Sequence, residues 1–522
     1  MRPLRTISEF ARADLMERVR RYSFLFMLLG AAGLAYTVFA DYWRFRIAEH
    51  YRIAIGPVRT GTLVALVTNT ILTFAGFYLV KGSVSRDRRL GIGPILSAAP
   101  VRWRWYIGGK YLSNLMVLLL TVIVLAAISM GITAVKMRAF TIGAAWQVLS
   151  PFLLLTVPVL FAIAGIAVLF DTLPYLRDTT GNIVYLFLWA GIFSISETYP
   201  SLDFIGLNTT IRHVHEALAV AHPDANIGSY ALQINTAGQA SLTGFHWSGL
   251  TWSSDIVFHR INFLGLGLLL CFLSSVALYF VNPFQSQISN STAGSNSETA
   301  EFSRSEPVET KRHDVAGMAP PVFTSPTAGF FRTSLMELQM MLRGRSWWWY
   351  LVLAGLSLMA FVVDNASLVL LGTWLLPLQP WSALGCRDAQ YGTDCLLKSC
   401  PYSSRTLIPA RLAAGAGISI LAGIGPLTYY LSTGAAGLAL SLGSGAVFIP
   451  SLALCLGTWT NHPRAFEAVY LLLWYLGPLN GIVPLDFMGV TERAAQLGIP
   501  LIAGGISMLL LCAAWVGWGR GS

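Results

Sequence analysis

Residues Arg86–Lys110 read R-D-R-R-L-G-I-G-P-I-L-S-A-A-P-V-R-W-R-W-Y-I-G-G-K. Adding 301 to each number brings the pattern back without a gap at Arg387–Arg411. Arg86 and Asp87 return as Arg387 and Asp388, Gly91 as Gly392, Leu96 as Leu397, and Pro100 as Pro401. Arg104 returns as Arg405, Ile107 as Ile408 and Lys110 as Arg411. So many matches in one register mark an internal repeat. Both copies are polar islands between long apolar runs, and Arg86 to Arg89 are four consecutive charges. At a bilayer centre they would cost on the order of 10 kcal/mol, so the island belongs in water at a membrane face.

Composition agrees. The chain of 522 residues is 55% hydrophobic and 11% charged, with a mean hydropathy of +0.60, whereas soluble domains carry about 25% charged residues. Residues 1–22 place Arg2, Arg5, Arg12, Arg18, Arg20 and Arg21 among Ile7, Phe10, Leu15, Met16 and Val19. That pattern predicts an amphipathic helix lying on the membrane surface. The run that follows lacks a small-residue cleavage site and reads as a retained span. Runs of roughly 20 apolar residues are the length that crosses a bilayer. They are expected at 23–40, 61–80, 111–135, 148–170, 182–197 and 261–281, then at 347–363, 366–384, 411–433, 436–459, 467–485 and 497–517.

The fold expected is an all-α polytopic membrane protein of about 12 transmembrane helices, arranged as two parallel six-helix repeats. The first repeat covers 23–283 with an outer loop at 199–260, and the second covers 347–522. A Ser/Glu/Pro-rich stretch at 284–328 reads as a disordered linker, and 329–346 as a second surface helix, where Leu335-Met336-Glu337 echoes Leu15-Met16-Glu17. Val184-Tyr185-Leu186-Phe187-Leu188-Trp189 recurs as Val469-Tyr470-Leu471-Leu472-Leu473-Trp474, and Leu202-Asp203-Phe204-Ile205-Gly206 as Leu485-Asp486-Phe487-Met488-Gly489. An even number of spans per half gives both halves one orientation, the parallel type of repeat. With both termini inside, 26 of the 35 Lys and Arg fall on the cytoplasmic side. The positive-inside rule therefore makes both islands cytoplasmic.

Chemistry is scarce. All eight histidines lie in loops, and Asp and Glu lie in loops or at span ends, so no ionisable mid-membrane site of an ion-driven transporter is visible. No G-x-x-x-x-G-K-[ST] occurs, since Gly108-Gly109-Lys110-Tyr111 lacks the leading Gly and the hydroxyl residue. The chain is not expected to bind ATP itself. The islands make sense as docking elements. Gly91 and Gly392 permit a tight reversal, Pro100 and Pro401 stop a short helix, and Arg86, Asp87, Arg104, Arg387, Asp388 and Arg405 offer charge to a soluble partner. An ordinary basic loop obeying the positive-inside rule is the plainer reading. In the outer loop His213, His215 and Glu216 could ligate zinc or seed a peptidase site, although they do not match H-E-x-x-H. Cys386, Cys395 and Cys400 lack zinc-like spacing.

Gly91, Leu96, Pro100 and Lys110, following a basic amphipathic helix and two spans, resemble the island of ATP-binding-cassette (ABC) permeases of the type-2 exporter class. Gly392 through Pro401 to Arg411 is the closer match. The opening helix resembles that family's elbow helix, and Trp247-Ser248-Gly249-Leu250-Thr251-Trp252 with Arg260 resembles a segment of its tandem members. Members often carry Glu where this chain has Asp87 and Asp388. The resemblance implies a non-enzymatic permease subunit in the plasma (bacterial inner) membrane. Its islands would be coupling helices gripped by two copies of a cytoplasmic ATPase, which would hold ATP and Mg. The exported substrate is unspecified and nucleic acid is no partner. Two other readings stay open: a membrane-anchored enzyme or metal-dependent peptidase working in 199–260, and a scaffold that transmits force without transporting.

Overall fold

The computed structural model describes residues 3–20, 24, 28, 32–33, 36, 43–47, 51–54, 56–99, 101–137, 141–196, 198–199, 202–223, 230–234, 243–281, 326–343, 345, 347–362, 366–399 and 403–519. The chain divides into two compact units, Met1–Ser305 and Glu306–Ser522. Pro100 and Pro401, most of the run 23–40 and most of the stretch 284–328 lie outside the described residues.

In the first unit an opening helix, Pro3–Val19, precedes the spans. The first fully described span, Pro57–Val80, starts with Pro at its first turn, where the missing N–H costs nothing. It is followed by two short helices, Ser83–Arg89 and Gly93–Ala98, and then by a 35-residue helix, Trp103–Met137. The chain returns through Ile142–Pro151 and Val157–Thr172, joined by a widened π turn at Phe152–Thr156. Pro151 and Pro158 flank that turn, and each removes a backbone donor from the helical ladder. Thr179–Ser196 and Ser254–Val281 complete the unit. The last of these crosses its neighbour where both are small. A Cβ on Gly267 would stand 2.4 Å from the Phe161 backbone, and one on Gly165 would stand 2.8 Å from Gly267 O. Close backbone approach through glycine is how helices associate where no water drives them together.

The aromatic repeats form the centre of each unit. Phe77 stacks on Tyr185 at 3.7 Å, with Phe170 edge-on to both. Tyr185 Oη donates to Thr73 O, and Trp189 Nε1 donates to Thr73 Oγ1 at 3.1 Å. In the second unit Tyr470 Oη donates to Trp374 O at 2.8 Å and Trp474 Nε1 to Leu371 O at 3.2 Å. The Leu-Asp-Phe segments are capped turns. Asp203 accepts from Gly206 N at 2.9 Å, and from Thr209 N and Oγ1 at 2.7 Å. Asp486 accepts from Gly489 N at 2.9 Å, Thr491 N at 2.8 Å and Thr491 Oγ1 at 2.7 Å.

The described residues are predominantly helical, as expected of an all-α membrane protein, and two details add to that reading. A small sheet accompanies the helices of the first unit: β1 (Trp43–Ile47), β2 (Tyr51–Ile53), β3 (Tyr230–Ile234) and β4 (Thr243–Phe245) lie in the order β3-β1-β2-β4. β1 pairs antiparallel with both β2 and β3, with Trp43 opposite Ile234, and β2 runs parallel to β4. The sheet joins strands ahead of Pro57 to strands that follow Ser196.

The second unit also breaks spans that read as continuous. Among the described residues seven helices are long and apolar enough to cross a membrane, or eight if one bent pair counts as a span. That pair, Arg405–Ala422 and Ile424–Ser432, bends by 65° around Gly423, with Pro426 just beyond. Run 347–363 yields the helix Trp347–Met359. Run 366–384 splits into Ala366–Leu375 and Leu378–Ala383 at Pro377, with Pro380 in the first turn of the second piece. Run 467–485 becomes Pro463–Trp474 and a π turn, Tyr475–Leu479, where Gly477 lies against the backbone of Leu485. The chain is a predominantly helical protein embedded in a membrane.

Candidate functional site

The islands fold as two short helices around a glycine. Ser83–Arg89 leads to Gly91 at φ +67°, whose N–H reaches Arg88 O, while Ile92 N bonds Asp87 O at 3.1 Å. Arg387–Tyr391 leads to Gly392 at φ +66°, and Thr393 N bonds Asp388 O at 2.9 Å. This is the left-handed helix terminus that glycine adopts without steric cost. A Cβ on either glycine would meet nothing within 4 Å, so the turn itself, and not crowding, demands glycine. The second helices, Gly93–Ala98 and Asp394–Ser399, each contain six residues. Asp171 holds the first island from below: it accepts from Val84 N at 2.6 Å and Ser85 N at 3.2 Å, and also from Ser85 Oγ.

The charges expected to face a partner are turned inward. Ala11, Asp14 and Arg18 form the buried stripe of the opening helix, which packs on Trp103–Met137 so tightly that a Cβ on Gly109 would lie 2.6 Å from Phe10 Cβ. Asp14 receives Arg86, Lys110 Nζ at 3.1 Å, Ser113 Oγ at 2.8 Å and Arg18 at 3.0 Å. Lys110 Nζ also reaches Asp87 at 2.7 Å, and Tyr106 Oη donates to Asp87 at 2.8 Å. Glu17 lies 3.2 Å from Arg86. Burial alone would raise the Asp14 carboxyl, but Arg18, Lys110 and Arg86, with the Ser113 hydroxyl, outweigh it and hold it well below the usual carboxylate range.

In the second unit Glu337, on the helix Pro326–Leu342, receives Arg387 and Arg411 Nε at 3.2 Å, and Arg411 Nη2 donates to Asp388 at 2.7 Å. Each group therefore joins a carboxylate of the helix Pro3–Val19 or Pro326–Leu342, an Arg-Asp pair of the island, and a cation on the helix that follows it. Three negative and three positive side chains balance in the first and two of each in the second. Such desolvated charges are tolerable only when paired and hydrogen-bonded together.

Apolar side chains face outward instead. Leu90 is 64% exposed and Ile95 69%, while Tyr391 is 77% exposed and Leu396 70%. These pairs share the same offset of 301 as the charged residues. Arg104 and Arg405 are also exposed, and the Arg104 guanidinium lies 5.9 Å from the Trp105 ring. Of the residues singled out from sequence, Arg86 and Asp87 come together in the first unit and Arg387 and Asp388 in the second. Gly91 and Gly392 make the turns, and Arg104 and Arg405 stay on the surface. Sequence reasoning missed Asp14, Asp171 and Glu337 as partners, and the Leu-Met-Glu echo was the signal that led toward two of them.

In the large loop His213 and Glu216 lie one turn apart on the helix Leu207–Ala221, with Nδ1 3.7 Å from the carboxylate and 3.5 Å from Thr251 Oγ1. Burial lowers the pKa of His215. Among the described residues no three His, Cys, Asp or Glu side chains are grouped closely enough to hold a metal ion.

Comparison of the chain with protein-family models, with curated proteins and with solved structures finds no match.

Proposed function

We propose that this chain is the membrane subunit of an ABC exporter, carrying both permease halves as two parallel six-helix repeats in the plasma (bacterial inner) membrane, with its termini and islands in the cytoplasm. Separate ATPase subunits, one per island, would bind and hydrolyse ATP with Mg. The supporting observation is a pairing. In each unit a buried ion cage fastens the island to a surface helix and to the next span, while the island presents exposed apolar residues, Leu90 and Ile95 or Tyr391 and Leu396. A motif kept only for membrane orientation requires neither feature. The cage makes the island rigid enough to pass a push into Trp103–Met137 or Ser403–Ala422, and the apolar residues give a partner something to hold.

The test uses the full chain reconstituted with an ABC-type ATPase that co-purifies with it. Ile95→Asp combined with Leu396→Asp should leave insertion and thermal stability intact while abolishing the stimulation of ATP hydrolysis by the permease. Full stimulation in that variant would overturn the assignment.

A further inference from the structure

In the first unit a cavity of about 210 Å³ opens between the helices Leu207–Ala221 and Ser254–Val281. It holds roughly seven waters' worth of space, at about 30 Å³ each, the scale of a small metabolite. Arg212, His213 and Glu216 line it from one helix, and Asp255, His259 and Arg260 from the other. No reading of the islands uses any of these groups.

Arg260 lies in the wall, only 4% exposed. Among the described residues it makes two long contacts, a hydrogen bond to Phe204 O at 3.5 Å and an ion pair with the buried Asp203 at 3.7 Å. N–H···O bonds normally span about 2.7–3.2 Å, and the Asp203 oxygens already accept shorter bonds from Gly206 and Thr209. Asp203 balances the guanidinium's charge, but contacts this long leave Arg260 with donors that the anionic group of a ligand in the adjoining cavity would take up. Arg212 stands exposed at the mouth with the same preference. Two carboxylates occupy the same mouth: Glu216, 3.7 Å from His213, and Asp255, 3.6 Å from His259, both largely solvent-exposed. A plain anion would meet their repulsion, whereas a ligand that also carries an ammonium would meet attraction.

The geometry points to a binding site for a small zwitterion, with its carboxylate seated on Arg260 and Arg212 and its ammonium held at the mouth by Glu216 and Asp255. This inference does not rest on the transport reading and is tested by binding alone. β-Alanine, acetate and ethylammonium are titrated calorimetrically into the full chain in lipid nanodiscs. β-Alanine should bind at least about tenfold more tightly than either single-charge probe. Glu216→Gln with Asp255→Asn should bring β-alanine down to the level of acetate, and Arg212→Gln should weaken both. These three positions are exposed, so the variants should fold, and thermal unfolding checks that they do. Binding of acetate as tight as that of β-alanine would overturn the inference, as would binding of β-alanine that is unchanged in the carboxamide variant. Absence of any heat up to about 20 mM, far weaker than metabolite sites in the millimolar range or tighter, would overturn it too.

Discussion

Lys110 and Asp87 meet at 2.7 Å across the turn at Gly91, twenty-three residues apart, and Arg411 meets Asp388 at the same distance and separation across the turn at Gly392. The cation lies inside the long helix after the island, and the carboxylate lies on the island's first helix, near its end at Asp87 and in its first turn at Asp388. The contact therefore fixes the angle at which the island sits on the span. Removing the cation alone leaves two buried carboxylates facing each other, Asp14 with Asp87 or Glu337 with Asp388. We expect Lys110→Met and Arg411→Met each to cost about 3–5 kcal/mol, the usual loss on breaking a buried pair from one side. Lys110→Arg should be much milder, since a guanidinium fills the same role at position 411. Thermal unfolding in detergent checks the order.

The cage also dictates a pH response. The Asp14 carboxyl is depressed in the folded chain, so its contribution to stability is complete above its unfolded pKa, about 3.9. That contribution fades as pH falls below this value toward the folded pKa. Stability should therefore drop on acidification below about pH 4, and Asp14→Asn should flatten that part of the profile while lowering stability at neutral pH. Unfolding temperature measured between about pH 3 and pH 7 reads this directly. An unchanged acid limb in the Asn variant would remove Asp14 from the cage's energetics.

Gly91 and Gly392 separate backbone strain from crowding. Both have φ near +67° and open space around the missing Cβ. A side chain there is penalised only by the left-handed conformation, about 1–2 kcal/mol for most residues and less for Asn. Gly392→Asn should retain coupling and stability, whereas Gly392→Val should reduce both. If Asn and Val behave alike, the position is constrained by a partner's surface and not by φ. Stimulated ATP hydrolysis and unfolding temperature, measured together, discriminate.

The islands were legible because an offset of 301 carries Arg, Asp, Gly, Leu and Pro together, and their turns form where the glycines predicted them. The inward direction of the charges was not legible, because the positive-inside rule places an exposed and a buried arginine on the same side. Burial is decided by the opening helix, whose Asp14 lies one turn before the echoed Glu17. Arg86 reaches both, so in the first unit the echo pointed to the exposed rim of the cage at Glu17, whereas in the second it pointed straight to Glu337. The strands carried a signal, Trp43-Arg44-Phe45-Arg46-Ile47 alternating with period two, but β1's five residues between spans read as a loop until β3 supplied the pairing. Interrupted spans escaped hydropathy for a simple reason. Pro377 at the break and Pro478 inside the π turn leave a run apolar while each removes a donor from the helical ladder.

The direction of the island charges changes how a partner should hold on. Docking through arginines would be worth about 0–1 kcal/mol per exposed pair and would weaken as the screening length shrinks from about 10 Å at 0.1 M salt to about 3 Å at 1 M. Docking through Leu90, Ile95, Tyr391 and Leu396 would be worth about 1.5–3 kcal/mol for each side chain fully buried, and salt would not reduce it. Arg86 and Arg387 lie inside the cages, whereas Arg104 and Arg405 are exposed at the surface. We therefore expect Arg104→Ala with Arg405→Ala to weaken ATPase association modestly at low salt and hardly at all near 0.5 M. Leu396→Ala should weaken it by about tenfold or more at every ionic strength, in line with the loss of one buried leucine. Binding of a fluorescent ATPase to the reconstituted chain across a salt series measures both. Should the arginine variant prove the more damaging, and its damage vanish with salt, the partner reads charge on these islands, and the apolar residues would be surface left bare for another reason.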